Sequence, residues 1–398
     1  MTKYLISALS VGVSLSILGP ETLEAKKPDA KTIKIGMSTA LSGPAKALGQ
    51  GMKAGVEAYF KKINQLGGIH GKKLELIVRD DGYEPSRTAP NMRQLIKKDK
   101  VFAILGNVGT PTAIVSVPIA NELKTPFFGA FTGAGVLRKT PPDRYVWNYR
   151  ASYAQETAAM VKGFVKDLKI KPSEIGFFTQ NDAYGDAGYE GGIKALKSIG
   201  YADAEKLPHG RYTRNTTNVE DGLLEMLEAK VKPKAIIMVG AYKPCAAFIR
   251  LAKQEGLKAI FANVSFVGSK ALAKDLGPLG EGVVVTQVVP FYQNSKIPVV
   301  AEYHQFIKKE ELGFVSLEGF IAAKAFIKAL SHTKVNATKE DLINALSQMK
   351  NFKLGLGEKH SLSSTQHQIS HRVWPTMIKN GAYQEFKWPE LSPSIFGH

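Results

Sequence analysis

An α/β protein built from two similar blocks is what this sequence predicts, and three observations carry that expectation. From residue 31 onward, β-rich runs alternate with segments of helical period. The alternation restarts after Tyr145–Arg150. A length of 398 residues without a short-period repeat leaves room for two ordinary cores and excludes a solenoid.

In the first block, IKIGMST (33–39) reads as a strand. Leu48, Met52, Val56, Phe60 and Ile63 then recur at helical spacing until Gly67-Gly68 stops them. LELIV (74–78) is the next strand, and a helix follows through Met92, Leu95 and Ile96. VFAIL (101–105), a helix over 111–123 and a strand over 126–130 continue the series. The second block runs helix 157–168, strand 175–179, helix 188–198, helix 219–229, strand 235–239, helix 246–255, strand 259–263 and strand 282–289. Helices are expected over 299–311, 319–330 and 339–349. Segments 372–379 and 383–388 flank Asn380-Gly381, which marks a terminal hairpin. Strands separated by helices of this length imply βαβ units and largely parallel sheets.

Composition narrows the function. With 44 % apolar, 22 % charged and 9 % aromatic residues, the chain is neither fibrous nor disordered. Lys3 followed by the apolar stretch 4–18, the Gly19-Pro20 break and Ala25 reads as a cleaved export signal over residues 1–25. Cys245 is the single cysteine, so an exported chain must stand on its core without a disulfide. At the start of a helix it is a small buried residue, with a reactive thiol as the sharper alternative. His360, His367 and His371 lie together in a polar stretch that reads as a solvated loop rather than a metal site. The net charge of +18 suggests anionic surroundings, but the lysines are spread over surface positions, which does not point to nucleic acid.

Ligands of open parallel sheets sit beyond the carboxyl ends of the strands. Here those ends carry 38–44, 106–112, 131–134, 181–185, 240–244 and 263–266, rich in Gly, Ser, Thr and Tyr. Each is an ordinary turn taken alone; six together imply a cleft for a small ligand held by hydroxyls, amides and rings. Other chemistries lack their residues. Gly185, Gly188 and Gly191 are spaced GxxGxxG rather than GxGxxG, and neither a P-loop lysine nor a GxSxG serine occurs. Asp80-Asp81 has no nearby nucleophile or base and reads as loop structure, capping or a lobe contact.

The segment 33–88, together with GNVGTPTA, FTGAGVLR, NDAYGDAGYEGG, GAYKP and EGVVVTQVVP in that order, resembles the periplasmic leucine/isoleucine/valine-binding proteins, type I solute-binding proteins of ABC importers. The likeness covers nearly all of residues 31–350. It implies a type I periplasmic binding protein, with two doubly wound parallel-sheet lobes joined by a three-strand hinge. The first lobe would take 31–150 and 290–355, the second 151–289 and the segment 356–398. It further implies a periplasmic monomer that captures a small ligand between its lobes, uses no cofactor and delivers its cargo to an inner-membrane ABC permease.

Carried over by position, Thr110 stands where the family binds an amino-acid carboxylate; its other reading is a helix N-cap, which is compatible with binding. Phe131, Thr132 and Gly133 form the loop that gives the ligand backbone and hydroxyl contacts, and Gly133 lacks a threonine hydroxyl found in relatives. Tyr184 and Tyr242 match cleft tyrosines, with core packing as the alternative, and Leu48 replaces a covering aromatic. Ser265, beside Phe266, falls near the acid that holds a ligand α-ammonium, and 263–266 contains no acid. A buried ammonium without a counter-charge costs several kcal/mol. The expected ligand is therefore a carboxylate or apolar compound without an α-ammonium, unless Asp182 turns into the cleft. A ligand-sensing module for a separate receptor is the alternative function; an α/β enzyme lacks a nameable constellation.

Overall fold

The computed structural model describes residues 32–391; the proposed export signal lies outside them. In the first lobe the order is β1 (Ile33–Thr39), α1 (Lys46–Gln65), β2 (Leu74–Asp80), α2 (Pro85–Arg93), β3 (Ala103–Leu105), α3 (Thr110–Glu122), β4 (Phe127–Phe128) and β5 (Val146–Trp147). These strands form one parallel sheet, β2-β1-β3-β4-β5. The chain then enters the second lobe through α4 (Tyr153–Lys162), β6 (Ile175–Gln180), α5 (Ala183–Ser198), β7 (His209–Tyr212), α6 (Glu220–Leu227), β8 (Ala235–Val239), α7 (Tyr242–Gln254), β9 (Ile260–Asn263), α8 (Ser269–Leu276) and β10 (Val284–Gln287). It continues through α9 (Pro298–His304), α10 (Phe314–Ser331), α11 (Lys339–Gln348), the short pair β11 (Phe352–Lys353) and β12 (Lys359–His360), and the hairpin β13 (Trp374–Lys379) and β14 (Ala382–Glu385). The second sheet is ordered β14-β13-β10-β9-β8-β6-β7, with β13 antiparallel to both its neighbours.

The expected strands and helices are present, with shifted ends. β7 was not foreseen: His-Gly-Arg-Tyr carries no apolar run, and it forms as an edge strand paired to β6 alone. The terminal hairpin turns where Asn380 and Gly381 take positive φ of 52° and 74°.

Helix α10 returns to the first lobe and lies against α1. A Cβ on Gly55 would stand 1.9 Å from the Ser316 carbonyl oxygen, and one on Gly319 would stand 2.4 Å from that of Met52. Only glycine permits this approach. Because α10 is buried on nearly every face, its apolar residues Leu317, Phe320, Ile321 and Phe326 complete the first lobe's core.

Three stretches pass between the sheets: 148–152, 288–297 and 355–373. The first and third run side by side, Asn148 donating its amide to the His367 carbonyl (2.7 Å) and receiving that of Ile369 (3.0 Å). The Tyr149 hydroxyl reaches the Val288 carbonyl at 3.3 Å and so touches the second. Of the three histidines, His360 and His367 are buried rather than solvated, while His371 is exposed and hydrogen-bonded. His367 stacks on Trp147 at 3.5 Å, His360 is buried, and His371 lies within 2.9 Å of the side-chain amides of Gln155, Gln366 and Gln368.

Candidate functional site

Loops from the carboxyl ends of both sheets converge on the ring of Phe266, which follows β9. It lies 5.3 Å from Phe131 and 5.8 Å from Tyr83 of the first lobe, and 4.5 Å from Tyr184 of the second. Tyr153, at the start of α4, meets Tyr184 at 5.2 Å and stands edge-on to Phe266 at 6.5 Å. All five rings are buried. Tyr184 is fixed by its hydroxyl, which donates to the Gly240 carbonyl at 3.2 Å.

Beside the rings, the hydroxyls of Thr110 and Thr132 are 2.7 Å apart. Thr110 is the first residue of α3 and not its N-cap, which is Gly109, so its hydroxyl is not spent on the helix start. Gly133 is no simple loss of a hydroxyl. A Cβ there would lie 2.5 Å from the Tyr153 amide nitrogen and 2.8 Å from its ring, so the glycine is what admits Tyr153. Arg138 binds this loop to the crossings, donating to the carbonyls of Thr132 (3.3 Å), Ala134 (3.0 Å) and Arg150 (2.9 Å) and to the Gln368 side chain (2.8 Å).

An acid does stand at Ser265, brought from another element. Glu156 accepts the Ser265 amide (2.8 Å), the Ser265 hydroxyl (3.0 Å) and the Thr286 hydroxyl (2.6 Å). Its partner is the chain's own cation: Arg150 Nη2 lies 3.1 Å from Glu156 and also bonds the Ser265 hydroxyl. The guanidinium lies over Phe131 (4.9 Å) and Tyr153 (5.6 Å), with Nη1 3.6 Å from Glu318 of α10. Burial pulls Arg150 toward neutrality, but Glu318 and Glu156 outweigh it and hold the guanidinium charged. Burial pushes Glu318 up to about 7 against the opposing pull of Arg150, while Arg138, desolvated beside Arg150, falls to about 9.

Leu48 and Tyr242 lie apart from the rings. Both close on Gly268, where a Cβ would meet Leu48 at 2.5 Å and Tyr242 at 3.4 Å. Leu48 also lines a cavity of about 440 Å³ between α1, α8 and residues 310–316. Thus Thr110, Phe131, Thr132, Gly133, Tyr184, Ser265 and Phe266 are brought together, and Leu48 and Tyr242 form a second contact.

Asp182 is unavailable for an ammonium: it caps α5 through the Tyr184 amide (3.0 Å) and accepts from Gln180 (2.8 Å) and Arg214 (3.1 Å). Asp80 and Asp81 are loop structure, as expected. Asp80 binds the amides of Leu41 and Gly82, and Asp81 binds the hydroxyls of Ser38 and Thr88. They shape the turn that delivers Tyr83 and Glu84 to the second lobe, where Tyr83 accepts from Gln180 (3.2 Å) and Glu84 meets Arg214 (2.8 Å). Cys245 is fully buried and its thiol is pushed up by that burial, which rules out the reactive reading.

Sequence reasoning missed Tyr83, Arg138, Arg150, Tyr153, Glu156 and Glu318. One signal was present: Arg150 and Tyr153 sit at the expected boundary between the blocks, where a charged residue beside aromatics is unusual for a plain connector.

A family model described as periplasmic binding protein matches residues 32–382. A possible leucine/isoleucine/valine-binding protein from Rhodopirellula baltica is 48 % identical, with a TM-score of 0.88 over 92 % of this chain and all of that one. A Leu/Ile/Val-binding protein homologue from Brucella abortus is 25 % identical over 64 % of this chain and 66 % of its own length. A fatty acid ABC transporter substrate-binding protein from Thermomonospora curvata shares the fold at 21 % identity, TM-score 0.78, over 92 % and 94 % of the two chains.

Proposed function

Since the chain belongs to the periplasmic binding protein family, we propose that it is an exported, non-catalytic carrier that closes its two lobes on a small ligand and presents it to an inner-membrane ABC permease. The body 32–147 with 298–354 would move against 153–287 with 374–391, about the three crossings. Among the described residues no helix is long and apolar enough to cross a membrane, in keeping with a periplasmic protein.

The ligand lies where the two lobes meet, among Phe131, Tyr184 and Phe266 and against the Thr110–Thr132 hydroxyl pair. It carries a carboxylate or is apolar, and has no α-ammonium. One observation carries that choice: the position by Ser265, where an ammonium would need a free acid, is filled by the Arg150 guanidinium already paired with Glu156. A second cation there would face an acid already spent. Relatives named for branched-chain amino acids and a fatty-acid protein on the same fold show that the scaffold alone does not set the ligand.

Calorimetric titration of the purified protein with leucine and with benzoate tests the reading, and small-angle scattering reports closure. Benzoate binding with a reduced radius of gyration is expected. Micromolar leucine binding overturns the ligand class, and a ligand that leaves the scattering unchanged overturns the clamp.

A further inference from the structure

The cleft contains a guanidinium with more hydrogen-bonding capacity than its surroundings use. Arg150 is 1 % exposed, yet neither its Nε nor its Nη1 makes a hydrogen bond. Nη1 has only a charge contact with Glu318 at 3.6 Å, beyond the reach of a good hydrogen bond. Nearby, the Tyr153 hydroxyl, with Thr132 close to it, also makes no hydrogen bond of ordinary geometry. Buried donors are rarely left unmatched, because each loses its water without replacement. The guanidinium lies over the rings of Phe131 and Tyr153, within the proposed ligand site. Nη2, the nitrogen that shares an edge with Nε and another with Nη1, is spent on Glu156 and Ser265, so a carboxylate would meet Nη1 through one oxygen in a charge-assisted hydrogen bond.

We propose that Arg150 is the cleft's anion receptor, its Nη1 taking an oxygen of an aromatic acid's carboxylate while Glu318 gives up its hold on Nη1 and takes a proton. This rests on reading the cleft as the solute site, and it deepens that reading by naming the receptor and the ligand class. The charges balance. Arg138 and Arg150 face Glu156 and Glu318, so the cluster is neutral, and an arriving carboxylate adds one negative charge that one proton cancels. Glu318 is the acceptor for that proton because it faces Arg150 and Tyr149 of the first crossing, Glu156 of α4 and the more distant Arg138, without a hydrogen bond to any. Glu156, by contrast, accepts from Ser265, Thr286 and Arg150.

Calorimetry of the full chain with sodium benzoate, benzamide and leucine tests this above pH 7, in buffers of differing ionisation enthalpy. Benzoate should bind about 10- to 100-fold tighter than benzamide and draw about one proton from the buffer. Arg150→Met should erase the preference for the acid. Glu318→Gln should tighten benzoate and abolish the buffer dependence. Should Arg150→Met destabilise the fold by leaving Glu156 unpaired, Glu318→Gln and the buffer series decide alone. Benzoate binding that Arg150→Met leaves unchanged, or that Glu318→Gln weakens, overturns the receptor while leaving the carrier reading intact. Wild-type protein that binds leucine and not benzoate overturns the ligand class, and protein that binds neither overturns this inference only.

Discussion

At the scale of single residues, the cleft is organised by side chains whose value depends on partners far along the chain. Gly133 is one case. Its missing Cβ admits the Tyr153 ring and amide, so Gly133→Ala forces a 2.5 Å contact with backbone that has nowhere to go. Overpacking of this kind costs about 1–3 kcal/mol. Benzoate affinity should fall about tenfold with a lower thermal midpoint, checked by calorimetry and circular dichroism. Glu318 is another. Its carboxyl is raised from 4.5 to about 7, chiefly by burial, so between those values the folded protein holds a proton that the unfolded chain has released. Stability contributed by the protonated acid is complete below pH 4.5 and declines as pH rises toward 7. Urea denaturation across that window should show the decline in wild type, and Glu318→Gln should flatten it. Thr110, Thr132 and Phe266 were legible because loop chemistry at strand ends is local. Arg150 and Glu318 were not, since a charge in a connector or an apolar helix reveals its purpose only through what it faces.

Elements show the same division. Periodicity located α1, α10 and the central strands of both sheets, because spacing along one segment decides which face is apolar. β7 escaped it, for an edge strand of His-Gly-Arg-Tyr is held by pairing with β6 rather than by its own pattern. Nor did spacing reveal that α1 and α10 approach through Gly55 and Gly319. Gly55→Ala would press a methyl against the Ser316 carbonyl and should cost about 1–3 kcal/mol, seen as a lower urea midpoint with unchanged slope. Because Gly55 lies outside the ring cluster, the surviving folded protein should bind benzoate as wild type does.

For the whole molecule, the contact between lobes includes a polar latch apart from the rings. Arg214 of the second lobe bridges Glu84 of the first (2.8 Å) and Asp182 of its own (3.1 Å), with Asn215 also reaching Glu84. The pair is partly exposed, so its share is about 0.5–1 kcal/mol. Arg214→Met should therefore weaken ligand binding a few-fold and enlarge the radius of gyration of the free protein, while increased salt shrinks the difference between variant and wild type. Six lysines spread along the sequence gather in space. Lys34, Lys72, Lys98, Lys100, Lys334 and Lys339 line a cavity of about 620 Å³ at the amino ends of β1 and β3, opposite the cleft. That share of the positive charge therefore lies away from the proposed ligand site.

What the sequence by itself determined was the α/β class, the two-block order and the hydroxyl-rich and aromatic turns at the strand ends, since each follows from neighbours a few positions apart. Tertiary structure alone decided the electrostatics of the cleft. Arg150 and Ser265 are 115 positions apart, and Glu318 comes from a helix that folds back onto the first lobe. Only their burial together, out of water, turns three ordinary side chains into a charged centre.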